Sequence, residues 1–137
     1  MTKPTLVLVH GQWQSPSSFD ILIPHLEERG FSIKTVDLPT ANAQLGSAPS
    51  FEEDCTAIRD LITKIEGPVV VVSHSYGGIP VAQALEGLNE KVKALVYLAA
   101  FMPDVGQSML DLRLDTKPAD WIKVEVSHGY CSRERDK

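Results

Sequence analysis

The chain of 137 residues carries 43% hydrophobic and 23% charged side chains, which suits one globular domain and excludes a disordered or fibrous segment. Thirteen basic against eighteen acidic residues leave a net charge of −5, spread without a basic patch, so no nucleic-acid partner is expected. The longest apolar runs fall far short of the roughly 20 residues that span a bilayer, and Met1-Thr2-Lys3-Pro4 enters a strand pattern at once with no room for a secretory leader, so the expectation is a cytoplasmic protein without a membrane partner.

Four near-continuous apolar segments, Thr5 to Val9, Phe31 to Leu38, Pro68 to Val72 and Val92 to Ala99, lack polar alternation and read as strands covered on both faces. Between the first two, Phe19, Leu22, Ile23 and Leu26 share a helical face that Gly30 closes. Pro24 removes a backbone donor there, so that helix starts later than Ser17 or kinks. Phe51, Cys55, Ile58, Leu61, Ile62 and Ile65 form the apolar stripe of a second helix, with Ser50 and Glu53 spaced as a capping box and Gly67-Pro68 as the exit. A third helix begins near Tyr76 and runs toward Leu85, with Pro80 in its first turn. After Ala100 the pattern weakens to one short helix before Pro118, with Met102 and Met109 as core filler. Strands alternating with helices predict an α/β fold, an open parallel sheet of about four strands ordered second, first, third, fourth with crossover helices. Residues 1–125 make the core, and residues 126–137 make an irregular polar tail. Cys55 and Cys131 have neither C-x-x-C spacing nor histidines at metal-ligand intervals, so no metal or disulfide is expected and Cys55 reads as a core residue.

The segment that carries chemistry is Val69-Val-Val-Val-Ser-His-Ser-Tyr-Gly-Gly78, a buried strand running into Ser75 and then into a helix. Small residues two positions either side, Ser73 and Gly77, let the backbone fold tightly and hold the serine above the carboxyl edge of the sheet. The following helix aims its amino-terminal amides at the same place, where they stabilise negative charge on a bound carbonyl oxygen.

With Leu6-Val-Leu-Val-His-Gly11 at the first strand and Ser73 to Gly78 at the third, the sequence resembles the α/β-hydrolase superfamily, and within it the small esterases and hydroxynitrile lyases of the methylesterase type. Ala99-Ala-Phe-Met-Pro-Asp104 resembles the end of that family's next core strand, and the likeness covers roughly residues 4 to 125. It implies a serine hydrolase acting on a small carbonyl or ester substrate without a cofactor. Ser75 would be the nucleophile, Gly11 would belong to the oxyanion loop, and the amides of Tyr76 and of Gln12 or Trp13 would hold the oxyanion. Ser73 stands where the family's pattern has its first glycine.

The family places its acid and histidine after the nucleophile, and the sequence reads as the amino-terminal part of such a domain. Asp104, just past the fourth strand, is the candidate acid, and His128 is the one downstream histidine. His74 is expected to face into the fold and His10 to order the loop it precedes. The alternative is a truncated, inactive homologue that serves as a binding or interaction module. The few charges in Ala94 to Met102 add the expectation of self-association through the strand Val92 to Ala99.

Overall fold

Thr5–Val9 (β1) forms the centre of a parallel sheet with Ile33–Val36 (β2) on one side and Val69–His74 (β3) on the other. Val92–Leu98 (β4) pairs with the far side of β3, giving the order β2-β1-β3-β4 read from the sequence. The computed structural model describes residues 3–41, 47–109, 111–113, 122–125 and 130–133.

The crossovers are helical, as parallel strands require. A 3₁₀ turn at Pro16–Phe19 precedes the helix Leu22–Glu27 (α1), so the helix starts after Ser17 and Pro24 falls in its first turn. It ends in a Schellman arrangement, with the Gly30 N–H donating to the Glu27 carbonyl at 2.7 Å and the Phe31 N–H to the Leu26 carbonyl at 3.2 Å. Phe51–Lys64 (α2) opens with the full capping box. Its Ser50 N–H donates to Glu53 Oε2 at 2.6 Å, and the Glu53 N–H donates to Ser50 Oγ at 3.4 Å. Gly78–Ala84 (α3) follows β3 after a 3₁₀ turn at Ser75–Gly77, and Pro80 occupies its third residue.

These elements bury two apolar layers, one on each face of the sheet. Val7, Val9, Val69 and Val71 pack with Ile58, Ile62 and Val81 from α2 and α3, whereas Leu6, Leu8 and Phe19 pack with Leu26 and Val72 on the α1 face. Fully burying each such side chain contributes about 1.5–3 kcal/mol, and this burial selects the register of the central strands. Cys55 is buried in the first layer, and burial together with Asp54 and Glu52 pushes its thiol up to about 11, which keeps it protonated and unreactive.

Three expectations change. Met102 is 67% exposed and is not core filler, because the loop after β4 runs over the surface. The expected helix before Pro118 is represented among the described residues by a 3₁₀ turn at Asp111–Arg113. The tail is not irregular throughout, since Tyr130–Arg133 (β6) pairs antiparallel with Ile122–Glu125 (β5) in a separate two-stranded sheet. β4 lies at an edge of the four-stranded sheet and leaves Val96 and Leu98 44% and 49% exposed. Among the described residues no helix is long and apolar enough to cross a membrane.

Candidate active site

The carboxyl ends of β1 and β3 lie side by side, Val9 opposite Ser73, so the loops that leave them meet above the sheet. Ser75 is the first residue of the turn after β3 and holds φ +51°. A non-glycine residue in that left-handed region costs on the order of 1–3 kcal/mol and persists only where its surroundings fix it. Gly77 supplies one such constraint, since a Cβ there would stand 2.6 Å from the His10 carbonyl oxygen. The Ser75 carbonyl supplies another by accepting the Phe101 N–H at 3.1 Å, which ties the turn to the loop after β4. Ser73, on the buried face of β3, donates from Oγ to the Val96 carbonyl at 3.3 Å.

The loop after β1 presses on this turn. A Cβ on Gly11 would stand 2.9 Å from the Ser75 Cβ, so only a glycine lets the two backbones approach so closely. The loop folds as a turn in which the Gln14 N–H donates to the Gly11 carbonyl at 3.3 Å and Trp13 takes φ +59°. The Gln14 Oε1 accepts the Gly11 N–H at 2.9 Å and His74 Nδ1–H at 3.1 Å. The Gly11 amide is therefore engaged inside the loop, while Gln12 and Trp13 form the central peptide of the turn. Trp13 is 37% exposed at the surface of this region.

His10 is fully buried beneath the loop. Its Nδ1–H donates to the Gly11 carbonyl at 2.9 Å, and Nε2 accepts the Leu38 N–H at 3.2 Å. Nε2 also lies 3.5 Å from Asp37 Oδ1, but a nitrogen that accepts an amide proton carries none to share, so the hydrogen bond and not an ion pair defines this contact. The imidazole thus bridges the ends of β1 and β2 and shapes the loop.

Tyr76 points away from the Ser75 turn toward α2. Its hydroxyl donates to Asp54 Oδ2 at 2.8 Å, and burial, reinforced by the Asp54 charge, pushes the phenol well above its ordinary range. Asp54 is fully buried, and it also accepts the Thr40 N–H on Oδ1 at 2.9 Å and the Thr40 hydroxyl on Oδ2 at 2.6 Å. Gln12 joins from the other side, its Nε2–H donating to the Thr40 carbonyl at 3.3 Å. Neither Asp54 nor Thr40 was singled out from the sequence. A signal was present, because Asp54 lies three residues after Phe51 and four before Ile58, a polar residue on the apolar stripe of α2.

The structure therefore brings Ser75, Gly11, Gln12, Trp13 and Tyr76 to one edge of the sheet. Asp104 is exposed on the loop after β4, where its N–H donates to Gln107 Oε1 at 2.9 Å and its carbonyl accepts the Gln107 N–H at 3.0 Å. His128 lies outside the described residues.

Comparison with known proteins gives this arrangement a setting. A family model described as the alpha/beta hydrolase family matches residues 6–132. A probable hydrolase, R7, of Phoma sp. is 36% identical over 136 residues, covering 95% of this chain and 55% of that protein. Methylesterase 1 of Arabidopsis thaliana is 33% identical over 112 residues, covering 77% of this chain and 43% of its own length. The crystal structure of polyneuridine aldehyde esterase superposes with TM-score 0.75 at 28% identity, over 87% of this chain and 50% of that one. The chain thus spans about half the length of the curated relatives it matches. With the family match running through all four strands of the parallel sheet and both loops of the site, the chain belongs to the alpha/beta hydrolase family.

Proposed function

We propose that this chain carries the nucleophile and oxyanion site of a serine hydrolase of the carboxylic-ester type. The observation that carries the reading is the φ of +51° at Ser75, on a strand-to-helix turn against which the Gly11 loop is pressed. A serine held this way is the nucleophile elbow of the family's chemistry. Ser75 Oγ attacks the ester carbonyl carbon and passes its proton to a general base. The carbonyl oxygen gains negative charge as the new C–O bond forms. The amides of Tyr76 and of Gln12 or Trp13 stabilise that charge, each contributing about 3 kcal/mol in acyl transfer. The alcohol then leaves with a proton, and water hydrolyses the acyl-serine. The relatives whose printed names are methylesterase and esterase support a small ester as the substrate class.

In this reading the general base lies outside the described residues. His10 is engaged with Gly11 and Leu38, His74 with Gln14, and His25 is exposed beside Glu28. His128 is the remaining histidine of the chain, with Asp104 as the candidate acid. The same engagement favours a second reading, a binding module that keeps the arrangement around Ser75 without turnover.

Hydrolysis of short-chain aryl esters separates the two. The esterase reading expects turnover by the folded chain that Ser75→Ala abolishes, a fall of about 10⁴-fold or more. Equal rates for the two proteins, or no turnover by folded wild type, would favour the binding module.

A further inference from the structure

We propose that Asp54 is a positioning residue whose carboxylate, held between Thr40 and Tyr76, keeps the loops after β1, β2 and β3 in register around Ser75. The inference rests on the esterase reading for the purpose of that register, though the network itself is a feature of the fold. A carboxylate with no exposed surface is expensive to bury unless every oxygen finds donors. Asp54 finds three, the Thr40 N–H at 2.9 Å, the Thr40 hydroxyl at 2.6 Å and the Tyr76 hydroxyl at 2.8 Å, and its place in the first turn of α2 sets it at the positive end of the helix.

The three donors come from two different loops. Thr40 lies in the loop after β2, and its carbonyl accepts the Gln12 side chain from the loop after β1. Tyr76 lies in the turn after β3 and follows Ser75 directly. One buried group therefore connects both segments that would supply oxyanion amides. The anchoring side chain of Tyr76 and its amide belong to the same residue, so a shift of the phenol carries the amide with it. Displacements of about 1 Å at such a site cost on the order of 100-fold in rate. Thr40 Oγ1 also lies 3.4 Å from the Tyr76 hydroxyl, but its single proton is placed in the shorter bond to Asp54. Tyr76 is thus free to act as donor to the carboxylate.

A residue that merely stabilised the fold would loosen every element when altered. One that positions these loops would loosen them selectively. The test uses Asp54→Asn, which keeps the volume but removes an acceptor, and Tyr76→Phe, which keeps the carboxylate and its bonds to Thr40. Two quantities are read in the full chain: backbone amide hydrogen exchange, and the saturating and half-saturating parameters of Ser75 modification by a fluorophosphonate. We expect exchange at Thr40, Gln12 and Tyr76 to accelerate by about tenfold or more in Asp54→Asn while Val71 and Ile62 hold their wild-type rates. The saturating modification rate should fall by about tenfold with the half-saturating concentration unchanged, and the double variant should be no worse than Asp54→Asn alone. Uniformly faster exchange, unchanged exchange at Thr40 and Tyr76, or additive effects of the two substitutions would overturn the proposal. Absence of labelling in the wild type would instead fail the esterase reading, and the exchange pattern would still decide the role of Asp54. Should Asp54→Asn not fold, Tyr76→Phe decides alone: accelerated exchange at the amide of residue 76 supports the network, and unchanged exchange there overturns it.

Discussion

Ser75 owes its geometry to neighbours that are small enough to come close. Gly77 is the sharpest case, because a methyl group there would meet the His10 carbonyl at 2.6 Å and the Val9 carbonyl at 3.0 Å, both of them backbone atoms that cannot rotate aside. We expect Gly77→Ala to destabilise the fold by about 1–3 kcal/mol in denaturant titration and to lower Ser75 reactivity further than that loss explains, because the turn itself must move. Wild-type stability in the variant would show that the turn is looser than its contacts indicate. Ser75 stands out in the sequence because small residues at fixed spacing after a buried strand leave a motif, whereas Gly11, Gln12, Trp13 and Tyr76 are singled out only by the family resemblance. Asp54 and Thr40 leave none of that kind. They are 14 residues apart, and what joins them is the tertiary approach of α2 to the loop after β2. The apolar stripe of α2 showed where Asp54 would be buried, and nothing in the sequence showed which donors would receive it.

Strands and helices followed local rules wherever caps and breakers were strong. The Ser50 and Glu53 pair fixed the start of α2, and Pro24 placed the start of α1 after a separate 3₁₀ turn. In α2 the carboxylate half of the box is the shorter bond, at 2.6 Å against 3.4 Å for the hydroxyl half. Removing the longer half by Ser50→Ala should therefore cost about 0.5–1 kcal/mol, toward the low end for such caps. The measurement is the denaturation midpoint at constant slope, and a midpoint equal to wild type would show that the Glu53 bond alone holds the helix start. Local rules gave out after β4. Past Ala100 the apolar spacing is too weak to choose between helix and strand, and the pairing of β5 with β6 depends on two short segments finding each other. A four-residue strand carries little signal of its own even with Gly129 directly before it, which is why Tyr130–Arg133 reads as polar tail in the sequence.

Assembled, these elements give an open parallel sheet whose order places β1 and β3 next to each other at its centre. That adjacency makes the site. The two strands feed their carboxyl-end loops into one place, the edge at which open α/β sheets bind ligands, and the loop after β1 brings Gly11 against Ser75. The order was readable because buried strands and crossover helices in alternation admit few topologies. The sequence motif supplied the serine but not its activation, since a proton acceptor is recognised by its distance to Oγ and not by its spacing along the chain. Intact-mass detection of covalent labelling by a fluorophosphonate, on folded wild type and on Ser75→Ala, reads that activation at the atom concerned. The account predicts one adduct on the wild type, located on Ser75, and none on the variant. Folded wild type that stays unlabelled, or labelling that survives Ser75→Ala, would contradict it.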